Sequence, residues 1–309
     1  MNKLTKAGFA GLFLSLTAVL ASCGGSSTST TDTAAVTADV YPVTVGDLTL
    51  EAQPVSIISL SPTATEMLYA IGAGSQVVAV DEYSNFPAEA VALGTTLSGF
   101  EPNIEAISGY SPDLVIISYD PGTLVEQLGT LNIPVFVAGA AMSLENVYEQ
   151  IEQLGVLTGH SQAAIEVSKT LQTGIEDAVA SVKFSEPPLS YYYELDNTYY
   201  SVTSNTFVGQ IFNLFGMRNI ADNVESGNDY PQLSAEVIVS SDPDFIFLAD
   251  TKCCAQDATT VAARDGWGGL KAVTANRVVE LDDDVASRWG PRVLDLITAI
   301  RDAVAAANS

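Results

Sequence analysis

The chain has 309 residues, 47% of them hydrophobic, and sets 12 Lys and Arg against 37 Asp and Glu for a formal net charge of −25. That is enough apolar material for two modest cores or one large one. A balance this acidic excludes a nucleic-acid partner, which needs a cationic face, and suits a self-repelling soluble protein outside the cytoplasm or from a salty habitat.

Lys3 and Lys6 precede the apolar stretch AGFAGLFLSLTAVL (7–20), which is too short for a secure membrane span. It runs into LASC (20–23), which resembles a bacterial lipobox. The expectation is a signal peptide over 1–22, cleaved before a lipid-bearing Cys23; an ordinary secretory signal ending near a cysteine is the other reading. GGSSTSTTDTAAVTAD (24–39) has little to bury, so a flexible tether is expected over 23–53.

A first α/β lobe is expected over 54–142. Val55 to Leu60 is a short apolar strand. SPTATE opens a helix with Glu66 in its first turn, and Gly72 and Gly74 end it. QVVAV (76–80) is the next strand, followed by the polar aromatic loop DEYSNFP. A helix around 103–109, a turn at Ser111-Pro112, a strand at 114–118, a helix at PGTLVEQLGTLN and a strand at 133–139 complete the lobe. Strands alternating with helices predict parallel sheets covered on both faces.

A helical segment follows over 143–186. Ala164, Val167, Leu171, Ile175, Ala178 and Val182 recur every three or four residues, the apolar face of a helix of roughly 30 Å. Pro187-Pro188 stops it. A second lobe over 187–309 then repeats the first: LSYYYEL (189–195) is a strand, PQLSAEVIVSSDPDFIFLAD matches PNIEAISGYSPDLVIISYD, and NRVVELD matches NIPVFVAG. The expected fold is α/β, two Rossmann-like lobes with parallel sheets joined by one long α-helix and a ligand cleft between them. Tyr83, Phe86, Phe100, Tyr199, Tyr200, Tyr230 and Trp289 crowd the loops at the strand ends, which suggests a large flat ligand held partly by stacking.

Together VSIISLSPTATEMLYAIGAG, DEYSNFP, PNIEAISGYSPDLVI and SRWGPR, over about 54–305, resemble the substrate-binding proteins of ABC importers for cobalamin, haem and ferric siderophores. YSNFP and LSGFEPN place the chain nearest the cobalamin branch. The resemblance implies a monomeric carrier with no catalytic residues and no cofactor beyond its cargo. It would capture a metal chelate and deliver it to a permease dimer with its ATPase. It implies ligand contacts at Tyr83, Phe100 and Tyr230, with Arg288 and Trp289 in the loop near the cleft. It also implies permease docking by Glu105 and Glu236, one on each lobe. Arg288 has the alternative of pairing with Asp282, Asp283 or Asp284. A ferric-siderophore or haem cargo is the alternative within the class, and an extracellular enzyme on a duplicated scaffold is the rival outside it.

The lone His160 argues against a free-zinc or manganese carrier and against a Ser-His-Asp hydrolase. No metal site is expected. With Cys23 lipidated, Cys253 and Cys254 remain, as a vicinal disulfide or as thiols.

Overall fold

The computed structural model of the protein describes residues 39–95 and 97–308. The signal segment, Cys23 and the stretch up to residue 38 lie outside the described residues. Among the described residues no helix is long and apolar enough to cross a membrane.

Two four-stranded parallel sheets form the two lobes. The first contains β3 (Ile57–Leu60), β4 (Val77–Val80), β5 (Leu114–Ile117) and β6 (Val135–Val137), in the order β4-β3-β5-β6. The second contains β7 (Ser190–Glu194), β8 (Arg218–Asn219), β9 (Phe245–Leu248) and β10 (Val278–Glu280), in the order β8-β7-β9-β10. The orders are the same, so the sequence repeat is a repeat of topology. The two-residue β8 is too short to leave a periodic signal.

The repeated Pro-Asp has a structural reason. The helices Ile104–Gly109 and Ala235–Ser241 each give way to a residue at positive φ, Ser111 at 49° and Asp242 at 44°. A proline follows, then Asp113 or Asp244. Asp113 accepts from the amides of Val55 and Ser56, at 2.9 and 3.0 Å, ahead of β3. Asp244 accepts from the amide and hydroxyl of Ser190 at the start of β7, both at 2.8 Å. In each lobe one carboxylate satisfies the donors that a parallel strand leaves open at its beginning.

The strands are buried on both faces, which explains their continuous apolar runs. Leu114 and Ile116, Tyr191 and Tyr193, and Phe245 and Phe247 face one core, which runs through both lobes and the helices between them. Val115 and Ile117 turn to a separate core of the first lobe, and Tyr192, Ile246 and Leu248 to one of the second. The linking segment is two helices, Leu144–Thr158 and Ser161–Ala180, the latter matching the long helix expected. They meet at Gly159, where φ is 77°. At Gly155 a Cβ would stand 2.4 Å from that of Ala164, so only glycine permits this packing. The last helix, Val293–Ala307, lies against Ser161–Ala180.

Residues 43–50, within the stretch expected as tether, are folded. β1 (Val43–Val45) and β2 (Leu48–Leu50) form an antiparallel hairpin around Gly46, at φ 57°. It is pinned to the turn between the linking helices: Tyr41 Oη donates to Leu157 O at 3.0 Å, Gln53 Nε2 to Thr158 O at 2.8 Å, and Ser161 N to Asp39 Oδ2 at 3.1 Å. The alternation in VTVGDLTL, with Gly-Asp at its centre, is the signal of this hairpin.

Candidate ligand-binding cleft

Parallel sheets place their carboxyl-end loops together, and a cavity of about 410 Å³ opens there. The first lobe contributes Leu60–Thr63 after β3, Asp81 and Tyr83 after β4, Gly99 and Phe100, and Ser118 and Tyr119 after β5; the second contributes Asp284 and Ser287–Trp289. The sequence-predicted Tyr83, Phe100, Arg288 and Trp289 therefore meet in one cavity. Tyr119 joins them, unforeseen because it sits at the end of an apolar strand and not in an aromatic-rich loop.

Local chemistry sets the aromatic wall. Ser61 caps the helix Pro62–Ala70, its hydroxyl accepting from Ala64 N at 3.3 Å. A chain of hydroxyls holds the turn after β4: Thr65 Oγ1 lies 2.9 Å from Ser59 Oγ and 2.8 Å from Ser84 Oγ, and Ser84 donates to Asp81 Oδ1. Burial raises the Asp81 carboxyl above its ordinary range, against the Ser84 hydrogen bond and the charge of Arg288. Gly99 crosses so close to β3 that a Cβ would stand 2.8 Å from Leu60 O. This crossing delivers Phe100 between Tyr83, ring centroids 5.7 Å apart at 84°, and Tyr119, 6.2 Å apart at 48°. The three residues keep 53%, 61% and 41% of their surface exposed, a solvent-facing aromatic wall.

Arg288 is committed to protein partners. Its Nη1 donates to Glu66 Oε1 at 2.8 Å and to Asn85 Oδ1 at 2.9 Å, and its Nη2 to Tyr83 O at 2.9 Å and Asp284 Oδ1 at 2.8 Å. All four terminal N–H donors have acceptors. Of the alternatives read from the sequence, pairing with the acidic run is present at Asp284, and the cross-lobe partner Glu66 was not foreseen. Glu66, expected in the first turn, lies past it in the helix Pro62–Ala70, is buried, and also takes Arg292 Nε at 2.9 Å and Arg292 Nη2. Arg292 lies 4.3 Å over the Phe86 ring. Burial opposes charge at Asp284, yet Lys252, Arg288 and Asn85 hold its carboxyl below the usual range. Trp289 Nε1 donates to Gln150 Oε1 at 3.1 Å, fixing its ring against the linking helices. The SRWGPR loop is thus a cross-lobe clasp that borders the cavity.

Other loop aromatics go elsewhere. Phe86 packs under Arg292, and Tyr199 stacks on Trp267 at 5.6 Å. Tyr200 and Tyr230 are exposed on the second lobe and do not line the cavity. The reason is a local pairing: Ser201 N donates to Pro231 O and Thr203 N to Asp229 O, which ties these loops to each other. His160 serves the turn between the linking helices, its Nδ1 2.9 Å from Thr158 O. Cys253 and Cys254 are free thiols, Sγ to Sγ 2.6 Å. Among the described residues no cluster of three or more His, Cys, Asp and Glu is suited to a metal.

Glu105 and Glu236 occupy equivalent places, each the second residue of its helix, after the caps Asn103 and Ser234. The Asn103 Oδ1 accepts from Ala106 N at 2.9 Å and the Ser234 Oγ from Val237 N at 3.3 Å. Both glutamates point away from the packed core. Backbone and Ser234 hydrogen bonds lower the Glu236 carboxyl below its ordinary value.

Residues 57–285 match the periplasmic binding protein family. The chain is 28% identical to an uncharacterized ABC transporter substrate-binding lipoprotein of Bacillus subtilis, across 97% of both chains. It is 30% identical to the cobalamin-binding protein of Halobacterium salinarum, over 85% of this chain and 74% of the relative. The crystal structure of the periplasmic vitamin B12-binding protein of Vibrio cholerae superposes with a TM-score of 0.67 at 27% identity, over 83% of this chain and 98% of that one. The family match spans most of the chain, the relatives agree with it in sequence and the fold superposes on a solved member, and the chain belongs to the periplasmic binding protein family.

Proposed function

We propose that this protein is the substrate-binding component of an ABC importer, held outside the cell membrane by lipid on Cys23, and that its cargo is a corrinoid. The observation that carries the reading is the exposed wall of Tyr83, Phe100 and Tyr119, which lines one cavity with Trp289. Rings presented this way suit a large flat ligand. The cavity encloses only part of such a macrocycle, and the exposed rings extend its contact beyond the rim.

Electrostatics favours a corrinoid over a ferric siderophore. Anionic iron chelates draw on free arginines and lysines. The one cation among the lining residues is Arg288, and Glu66 and Asp284 already neutralise it. Asp81 and Asp284 at the cavity suit the amide N–H groups that fringe a corrinoid. No histidine lines the cleft, so a haem iron would have to take Tyr83 or Tyr119 as its protein ligand.

A thermal-shift series with cyanocobalamin, haemin and ferric siderophores tests the cargo, because a ligand of the folded state alone raises Tm with concentration. A rise with cyanocobalamin only is expected. A rise with an iron chelate only keeps the carrier and overturns the corrinoid, and no rise with any of them overturns both.

Glu105 and Glu236 are the docking contacts for the two halves of a permease dimer in this reading. Their matched places on twin helices support it, since a two-fold partner needs two equivalent acids. Exposed charges of this kind set register and association rate more than affinity. Charge reversal at both positions is expected to abolish uptake in reconstituted vesicles while leaving the cyanocobalamin thermal shift unchanged; undiminished uptake would remove the docking role.

A further inference from the structure

The second lobe contains a buried acid that the cleft does not use. Glu194 ends β7, and Asp250 follows β9 by two residues; since Glu194 pairs with Leu248, the two side chains emerge side by side at the carboxyl end of the sheet. Both residues are fully buried. Arg264 forks onto Glu194, Nη1 to Oε2 and Nη2 to Oε1, each at 2.6 Å. The guanidinium is itself fixed 4.6 Å over the Trp267 ring. Asp250 has no such partner: neither of its oxygens receives a hydrogen bond from any described donor.

Few groups near Asp250 can satisfy it. It feels the acids Glu194 and Asp283 and one cation, Arg264, and of the neutral groups that feel its charge, Tyr192, Tyr193 and Cys253, the buried Tyr192 hydroxyl is likewise without a hydrogen-bond partner among the described residues. Burial keeps both tyrosines neutral, and burial together with Cys254 pushes the Cys253 thiol up to about 12. One arginine, already committed to Glu194, thus faces two carboxyls. An ionised Asp250 accepts only, and its neighbour Glu194 accepts only. A proton on Asp250 turns it into a donor toward Glu194 and relieves the excess of charge over the single arginine.

We infer that Asp250 and Glu194 form a buried proton-binding site, a carboxylic acid beside a carboxylate, whose occupancy sets the stability of the second lobe through the mildly acidic range. Burial first, and then the Glu194 charge, push Asp250 from 3.8 up to about 7. The folded form holds the proton more tightly than the unfolded chain. The stabilisation is therefore complete below the ordinary carboxylate pKa and is lost as pH rises through the folded value. The site also touches the cleft by a short route. Thr251 Oγ1, Lys252 N and Cys253 N, the residues directly after Asp250, all donate to Asp283, whose neighbour Asp284 lines the cavity.

The test is denaturant unfolding of the intact protein and of Asp250→Asn across pH. Asparagine keeps the shape of the neutral acid and cannot titrate. Relative to the variant, the wild-type unfolding constant is expected to rise by up to about tenfold per pH unit between about pH 4 and about pH 7. Parallel pH profiles would overturn the site. So would a neutral-pH stability that follows sodium, potassium or calcium at constant ionic strength, which would make the occupant a cation. Should the variant fail to fold, carbon-13 NMR of the wild-type carboxyls decides: one aspartate titrating near neutrality supports the site, and all of them titrating below about pH 5 overturns it.

Discussion

Glu66→Ala is expected to destabilise the protein by about 3–5 kcal/mol, lowering Tm by roughly 10 °C. The substitution removes the only carboxylate that Arg288 and Arg292 share, and their side chains are only 9% and 20% exposed. Arg292 then loses the carboxylate it hydrogen-bonds and Arg288 keeps Asp284 alone, and a largely buried cation short of its partner costs far more than a surface pair gains. Glu66 belongs to the first lobe and both arginines to the chain after the second sheet, so the loss falls on the clasp between lobes. Denaturant unfolding measures it. A change below about 1 kcal/mol would mean that water reaches the network as it reaches an exposed pair. Replacing all three residues with apolar side chains of similar volume is expected to recover most of the loss, because the network is costly to break and not costly to remove whole.

The second large effect concerns cargo. Phe100→Ala is expected to weaken cyanocobalamin binding roughly 30–150-fold, the sum of about 1.5–2 kcal/mol of apolar burial and about 0.5–1 kcal/mol of ring contact. Phe100 is 61% exposed, so its removal leaves the fold nearly untouched and the change appears in affinity and not in Tm. Tyr230→Ala is the companion experiment. Its ring lies outside the cavity lining, and its affinity is expected to match that of the unaltered protein. Equal losses at both positions would mean that the cargo also reaches the second-lobe loop of Tyr230.

Much of this architecture was legible in the sequence because it depends on local pattern. Strands buried on both faces write continuous apolar runs, and the linking helix writes its period over twenty residues. The duplication shows because Pro112-Asp113 and Pro243-Asp244 each perform the same anchoring task. What was hidden depends on distant pairs. Arg288 and Glu66 are 222 residues apart, and no spacing rule marks which of many acids will meet a given arginine. Glu66 even suits an open helix start by its local context, and only the packing of the SRWGPR loop buries it. The hairpin at 43–50 was masked by the small polar stretch before it, whose composition dominates any reading of the region. Tyr230 sits in a loop with the composition of a cleft loop, and its exposed ring lies outside the cavity lining.

The apolar core that passes from β5 through the linking helices to β7 and β9 belongs to neither lobe alone. Two lobes with separate interiors would melt as two bodies, each at its own temperature. With a common interior, cooperativity extends across the whole molecule, and a single calorimetric transition is the natural behaviour even though the fold is a tandem duplication. A molecule held at the rim of the first lobe then protects the second lobe equally, and occupancy becomes a property of the entire body.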